Sequence, residues 1–158
     1  MKRLKIYLDT SVISYLDQQD YPERMAETHK LWAKIKTEEF TAVVSDITIR
    51  ELNNCPEEKK AVLLGFLKQI KFETVITDAR TLEIAERFVD LKILKQNNID
   101  DCRHIAAAIT SGCDVIVSWN FKHIVNHKTI VGVKAVTALE EYKDILIYDP
   151  SILIGGSE

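Results

Sequence analysis

The sequence predicts an α/β fold in which a central parallel sheet is covered by helices on both faces. Short apolar runs alternate along the chain with longer segments whose apolar residues recur every three to four positions. One run, Val115-Ile116-Val117, is continuously apolar, as is typical of a central strand in a parallel sheet. Strands that alternate with helices build βαβ units, and such units place parallel strands side by side in one sheet.

Six short segments are predicted to be strands. The first is the apolar run before Asp9, where branched and aromatic residues over few positions favour a buried strand over a helix. The predicted strands cover residues 5–8, 40–44, 73–77, 115–117, 129–133 (an edge strand) and 145–148.

The helices are predicted from apolar residues at helical spacing and from residues typical of helix ends. Pro56 followed by Glu57 and Glu58 is typical of a helix start. Asp78 is a suitable N-cap, and Ser111-Gly112 is typical of a helix end. The predicted helical segments are residues 12–16, 23–36, 47–53, 56–69, 79–95, 99–110, a turn at 121–126, and 137–142.

The chain of 158 residues is most simply one domain. We expect this domain to span residues 1–150 and a C-terminal tail to follow at residues 151–158. The apolar fraction of 46% and the charged fraction of 28% are ordinary for a globular protein. No apolar run approaches the roughly 20 residues that span a bilayer, and the first residues do not resemble a signal peptide, so no membrane association is expected.

The cysteines and the net charge narrow the function classes. Cys55, Cys102 and Cys113 are odd in number and have no CxxC spacing, which favours reduced thiols in a cytoplasmic protein over a zinc site. The formal net charge of -3 gives no global attraction for nucleic acid, so any such contact needs a local basic patch. Neither GxxxxGK[ST] nor GxGxxG occurs, which excludes the common nucleotide-binding loops.

Acidic or polar side chains follow several predicted strands. Asp9 ends the first strand, although an aspartate here would also cap the next helix. Glu51 lies in the helix after the second strand and has no basic residue three or four positions away, so a helical ion pair does not account for it. Asp101 opens the alanine-rich helix, where it could instead stabilise the helix dipole. Asn120 follows the strand at residues 115–117.

These four side chains are expected to converge. The carboxyl ends of parallel strands meet at one edge of a sheet, which is where ligands bind in α/β folds. The small residues Ala106-Ala107-Ala108 would let their helix lie close to the sheet and bring Asp101 near that edge. The sequence therefore predicts an acidic pocket there.

The order of these motifs resembles the PIN-domain nucleases, a family that includes the toxin ribonucleases of VapBC toxin–antitoxin pairs. The resemblance extends to about Tyr148. It implies a three-layer α/β/α sandwich with a central parallel sheet, in a PIN-like domain over residues 1–150. The motifs are Leu8-Asp9-Thr10-Ser11, Ile49-Arg50-Glu51-Leu52, Asp101-Cys102-Arg103-His104-Ile105-Ala106-Ala107-Ala108 and Ser118-Trp119-Asn120-Phe121.

The same resemblance implies an activity and partners. The expected protein is a metal-dependent endoribonuclease, the toxin of a toxin–antitoxin pair, with RNA as substrate, an antitoxin protein as possible partner and a homodimer as assembly. Asp9, Glu51 and Asp101 would be the acidic ligands of Mg²⁺ or Mn²⁺, with Asp100 as the alternative to Asp101. Hard oxygen ligands suit Mg²⁺, and a bound ion would polarise a phosphoryl oxygen and activate water.

Other residues near these motifs would support the pocket. Thr10 and Ser11 would hold the first aspartate or the water shell of the ion, and Ser118 would support them. Asn120 stands where many family members have a fourth aspartate. Its amide oxygen can ligate or orient water but brings no charge, so a second metal ion should bind weakly.

A local basic and aromatic cluster follows Asn120, in Phe121-Lys122-His123 and Asn126-His127-Lys128. It would contact phosphates and bases beside the pocket, or else form a solvated loop. The RNA-contact candidates are Arg50, Arg103, Lys122, His123 and Lys128, although the two arginines are as readily explained as balancing the carboxylates. His104 is expected to be packed, or paired with Asp101, rather than to act as a ligand.

Two rival functions remain open on the sequence. One is a catalytically weak or inactive PIN-like module that binds RNA or protein, which Asn120 in place of an acid keeps open. The other is a phosphotransfer receiver or a dehalogenase-like phosphatase. The phosphatase needs a second acid two residues after its nucleophile, and Ser11 stands at that position.

Overall fold

A computed structural model describes residues 3–155. Its centre is a five-stranded sheet in which every neighbouring pair of strands is parallel, in the order β3-β2-β1-β4-β5. The predicted parallel sheet is thereby confirmed. The strands are β1 (Leu4–Leu8), β2 (Phe40–Ser45), β3 (Phe72–Val75), β4 (Val115–Val117) and β5 (Leu146–Tyr148).

Helices cover both faces of the sheet, which gives the expected three-layer α/β/α sandwich. The side chains of β1 show how the layers are built, because Ile6 and Leu8 point into one apolar cluster and Tyr7 points into the other. The first cluster contains residues of α1, α2, α3 and α4, and the second those of α5, α6 and α7. The helices are α1 (Thr10–Ser14), α2 (Pro22–Lys36), α3 (Asp46–Asn53), α4 (Glu57–Leu67), α5 (Ala79–Asp90), α6 (Ile99–Thr110), α7 (His127–Leu139) and α8 (Pro150–Ile154).

The predicted edge strand at residues 129–133 is wrong, because these residues lie in α7. The Asn126 side chain caps this helix by accepting a hydrogen bond from the Thr129 N–H at 2.9 Å. Val133 and Val136 then follow on the buried face at helical spacing. Branched residues suggested a strand, but burial of this face against the sheet favours the helix.

The separate helix predicted over residues 137–142 is also wrong, because α7 runs to Leu139. Further boundaries differ from the prediction. The helix expected over residues 79–95 ends at Asp90, and Lys92 has a positive φ of 60°. Residues 151–154, placed in the C-terminal tail by the sequence analysis, lie in α8, whose N-cap Asp149 accepts a hydrogen bond from the Ser151 N–H at 2.8 Å. The last three residues, 156–158, lie outside the described part of the chain.

One structural observation bears on the expectation that the protein does not associate with a membrane. Over residues 3–155, every helix is too short or too polar to cross a bilayer.

The backbone of α7 at Gly132 lies close to the side chain of Ile93, in the segment that follows α5. At Gly132, an added Cβ would lie 2.6 Å from Cγ2 and 2.7 Å from Cδ1 of Ile93. Glycine is required at this position because the branched Ile93 side chain occupies the space of a Cβ.

We predict that Gly132→Ala lowers the free energy of unfolding by about 1–3 kcal/mol, as overpacking of a filled core does. The matched control is Gly65→Ala on α4, where a Cβ would meet nothing within 4 Å. The control should gain about 0.5–1 kcal/mol, since alanine is the better helix former. Urea unfolding of both variants measures the difference, and equal stability of the two would contradict the close packing of Ile93.

Candidate active site

Asp9 lies at the end of β1, between β2 and β4, and only 4% of its surface is exposed. Its carboxylate caps α1 by accepting the Val12 N–H at 3.3 Å. It also accepts hydrogen bonds from the Ser11 hydroxyl and from the Ser118 hydroxyl, each at 2.6 Å. The capping role therefore applies to this residue, and Ser11 and Ser118 hold its two oxygens as the sequence analysis expected.

The loop after β4 is fixed to the same place. The Ser11 hydroxyl accepts the Trp119 N–H and the Ser118 hydroxyl accepts the Asn120 N–H, both at 2.9 Å. On the far side, the buried Trp119 indole donates to the hydroxyl of Thr28 on α2 at 2.8 Å. Asn120 is thus held at the sheet edge by hydrogen bonds from both layers.

Glu51, on α3, is hydrogen-bonded to Thr10, the residue that follows Asp9 in the chain. The hydroxyl of Thr10 donates to Oε1 of Glu51. The same oxygen lies 2.8 Å from Nε2 of His104, which comes from α6 and is 3% exposed. His104 is therefore packed, as the first of its two expected alternatives had it, and its ring pairs with Glu51 and not with Asp101.

A buried hydroxyl fixes the other side of the His104 ring. Nδ1 of His104 lies 2.6 Å from the hydroxyl of Tyr7, which lies 2.8 Å from the Ser45 hydroxyl. Tyr7 is fully buried in the central strand. Both ring nitrogens of His104 therefore have partners, and this fixes the direction in which Nε2 faces Glu51.

Asp101 lies in the first turn of α6, with a side chain that is 25% exposed. Its Oδ2 lies 2.9 Å from Nδ1 of His123, and its Oδ1 accepts from Nδ2 of Asn120 at 3.3 Å. The amide oxygen of Asn120 accepts the His123 N–H at 2.9 Å. Asn120 therefore presents its nitrogen to Asp101, while its oxygen accepts from the backbone of His123.

The adjacent carboxylate has different partners. Asp100 forms ion pairs with Arg50 at 3.1 Å and with Arg103 at 3.4 Å. The two arginines thus balance Asp100, and they do not contact the carboxylates of Asp9, Glu51 or Asp101 in the described ion pairs.

The three gathered carboxylates have different proton affinities. Burial raises the pKa of Asp9 despite the lowering effect of the nearby His104. Burial likewise raises the pKa of Asp101 despite its contacts with His123 and the nearby His104. Burial also acts to raise the pKa of Glu51, but the hydrogen bond and charge of His104 lower it overall.

The charges of all three carboxylates act on His104. Burial alone would lower the pKa of His104, yet the hydrogen bond to Glu51 and the charges of Asp9, Glu51 and Asp101 raise it overall. Burial raises the pKa of Tyr7, so its hydroxyl stays protonated beside the ring. Of the three carboxylates, Glu51 is the one in hydrogen-bond contact with the buried imidazole among the described residues.

The donor set fits a hard divalent cation in kind, because three elements bring carboxylate oxygens to one sheet edge. In their present rotamers, no three Asp, Glu, His or Cys side chains between residues 3 and 155 are arranged to hold an ion. Glu51 contacts His104 and Asp101 contacts His123 instead. Glu51 and Asp101 are the more exposed of the three carboxylates.

The family model for the PIN domain matches residues 6–123. The chain belongs to the PIN-domain family. This PIN domain is similar in structure to a chain of VapBC2 from Rickettsia felis, which was crystallised with a DNA fragment from the promoter. The TM-score is 0.60 at 15% sequence identity, over 92% of this chain and 98% of that chain, so the similarity concerns the fold. No curated protein is significantly similar to the sequence.

The sequence analysis did not predict the residues that hold His104. Tyr7 was predicted only as part of a strand, and Ser45 was given no role in the site. The sequence did indicate that His104 lies near the site. It follows Asp101 by three residues on one helix, and the two side chains therefore lie on the same side of α6. His123 was considered for RNA contact, and it lies against Asp101.

We predict that Tyr7→Phe lowers the free energy of unfolding by about 1–3 kcal/mol, because Nδ1 of His104 and the Ser45 hydroxyl would each lose a buried partner. The matched control is Tyr15→Phe, whose half-buried hydroxyl accepts one long bond of 3.3 Å from Arg24. The control should cost less than about 1 kcal/mol. Denaturant unfolding measures both, and an equal loss in the two variants would contradict the supporting role of Tyr7.

Proposed function

We propose that this PIN domain is a metal-dependent endoribonuclease that hydrolyses RNA phosphodiester bonds as the toxin of a toxin–antitoxin pair. One observation carries the proposal: hydrogen bonds connect Asp9, Glu51 and Asp101, which lie far apart in the chain, at the carboxyl edge of the sheet. Asp9 and Asp101 are joined through Ser118 and Asn120, and Glu51 is bonded to Thr10, the residue after Asp9. Three adjacent carboxylates repel one another, and a divalent cation relieves that repulsion.

Asp9, Glu51 and Asp101 would hold Mg²⁺ or Mn²⁺. When bound, the ion supplies Lewis-acid polarisation of a phosphoryl oxygen and lowers the pKa of coordinated water. Asn120 would add a neutral amide, which favours one tightly bound ion over two.

The chain's own groups prepare this site in three ways. The Ser11 and Ser118 hydroxyls fix both oxygens of Asp9, so that carboxylate keeps one orientation. His104 holds Oε1 of Glu51, while Oε2 has no partner among the described hydrogen bonds. His123 and Asn120 hold Asp101 and would yield it to an ion.

A second candidate function is a PIN-domain module that binds RNA or protein without cleaving it. Two observations favour it: the two more exposed carboxylates already contact histidines, and the amide oxygen of Asn120 is occupied by the His123 N–H. Metal binding distinguishes the two candidates, because only the nuclease requires an ion.

We predict that Asp101→Asn reduces Mn²⁺-dependent cleavage of single-stranded RNA by more than about 100-fold, since even the loss of groups that support a metal ligand costs about 10–100-fold. The matched control is Asp100→Asn, one residue away, whose carboxylate pairs with Arg50 and Arg103. Its cleavage rate should stay within about threefold of the wild type. This substitution removes ion pairs of the two arginines and leaves the carboxylate cluster unchanged.

Calorimetric titration of Mn²⁺ gives the same comparison without turnover. The Asp101→Asn variant should bind the ion more weakly than the Asp100→Asn variant and the wild type. Asp9→Asn provides a second ligand variant, with its fold checked by circular dichroism because Asp9 is buried. Full cleavage by both ligand variants, or no cleavage by the wild type with either Mg²⁺ or Mn²⁺, would contradict the nuclease assignment.

We also infer that the partner is an antitoxin and that the assembly is a homodimer. The structural neighbour is a VapBC2 complex on DNA from its promoter, which supports an antitoxin partner. We predict that light scattering of the purified protein gives about twice its 18.1 kDa mass. We also predict that co-expression with the product of a short adjacent reading frame gives a stable complex. A monomer that no such product binds would contradict both inferences.

A further inference from the structure

A groove of about 790 Å³ lies beside the carboxylate cluster and takes no part in it. One wall is the segment after α5, residues 92–98, and the other is the loop and helix start at residues 122–129. His123 lines the groove and also contacts Asp101 at 2.9 Å. The groove therefore opens directly next to the site of the proposed cleavage.

The charge of the groove is one-sided. Four exposed lysines line it, and no Asp or Glu does so among the described residues. None of these lysines takes part in an ion pair recorded within residues 3–155, whereas most other lysines of that range do. The groove lysines are Lys92, Lys95, Lys122 and Lys128.

Hydrogen bonds hold one wall of the groove, and side-chain packing holds the other. Asn126 donates from its amide to the carbonyls of Phe121 and Lys122, each at 3.0 Å, and the Thr129 hydroxyl donates to the His123 carbonyl at 2.7 Å. These bonds fix the loop that carries Lys122. The other wall packs on α7 where Ile93 meets Gly132.

Lys92 occupies a backbone conformation that glycine would adopt more easily. Its φ is 60°, and the Lys92 and Ile93 N–H groups bond back to the Val89 and Phe88 carbonyls at 3.0 and 2.9 Å. This is the pattern in which glycine usually ends a helix. A lysine at this position therefore lowers the free energy of unfolding relative to glycine. The same lysine places a positive charge in the groove.

We propose that this groove binds the phosphates of single-stranded RNA next to the scissile bond. This inference rests on the proposed nuclease function. It takes the ligand of the groove to be the stretch of the RNA substrate that extends beyond the carboxylate cluster. Lysines without acidic neighbours suit a backbone polyanion, and contacts to phosphate are independent of sequence.

The test is fluorescence anisotropy with a fluorescein-labelled 12-nucleotide single-stranded RNA, in EDTA so that no cleavage occurs. The groove variant is Lys95→Gln, Lys122→Gln and Lys128→Gln together. Its matched control changes Lys30, Lys36 and Lys68 to Gln, three exposed lysines that lie outside the groove and take part in no recorded ion pair of residues 3–155. The groove variant should bind at least tenfold more weakly, and its salt slope should fall by about 2, since each single-strand phosphate contact contributes about 0.7.

Lys92→Gly separates binding from folding. It should weaken RNA binding without lowering thermal stability, because glycine suits the positive φ. Its control is Glu141→Gly, which relieves a φ of 62° outside the groove and should not weaken binding.

Each of three binding results would overturn the groove proposal. They are equal losses in the groove variant and its lysine control, an unchanged salt slope in the groove variant, and tighter, groove-dependent binding of labelled hexaglutamate than of RNA. The third outcome would assign the groove to an acidic protein segment. RNA cleavage by the wild type, with the same KM in the groove variant, would overturn the groove and leave the nuclease proposal standing. RNA binding that depends on the groove lysines, without cleavage in the presence of any metal ion, would support RNA binding in the groove and overturn the nuclease proposal.

Discussion

The parallel pairing of β1 with both of its neighbours is the constraint on which the site depends. Leu8 pairs with Val117, so the next residues of the two strands, Asp9 and Ser118, emerge side by side at one edge. The 2.6 Å bond from the Ser118 hydroxyl to Asp9 follows from that register. A shift by one residue would turn Asp9 to the opposite face and remove it from the cluster.

The second requirement is compensation of buried negative charge. Asp9 is buried and has a raised pKa, whereas Glu51 has a lowered pKa because His104 pairs with it. Nδ1 of His123 lies 2.9 Å from Oδ2 of Asp101. Glu51 and Asp101 thus each contact an imidazole of the chain. We propose that Mg²⁺ or Mn²⁺ binds by displacing these contacts at Glu51 and Asp101 while Asp9 keeps its hydroxyl partners.

The sequence predicted those parts of the fold in which local pattern and packing agree. The bounds of α6 and β4 match the prediction, since an alanine-rich run and a continuous apolar run each favour one structure. At residues 129–133 the branched side chains favoured a strand, and only the tertiary contacts of α7 select the helix. The support of His104 by Tyr7 was not predictable, because it joins residues 97 apart in the sequence. Asp101 was preferred to Asp100 as the candidate ligand from the sequence, but the ion pair of Asp100 with Arg50 was not predictable because it depends on where α3 lies.

The most direct test of the central claim is a crystal structure of the protein soaked in Mn²⁺, with anomalous scattering used to locate the ion. The account predicts a peak bounded by oxygens of Asp9, Glu51 and Asp101, with His123 moved away from Asp101. The absence of a peak at that edge of the sheet, or a peak bound elsewhere with the carboxylates still on their histidines, would contradict it.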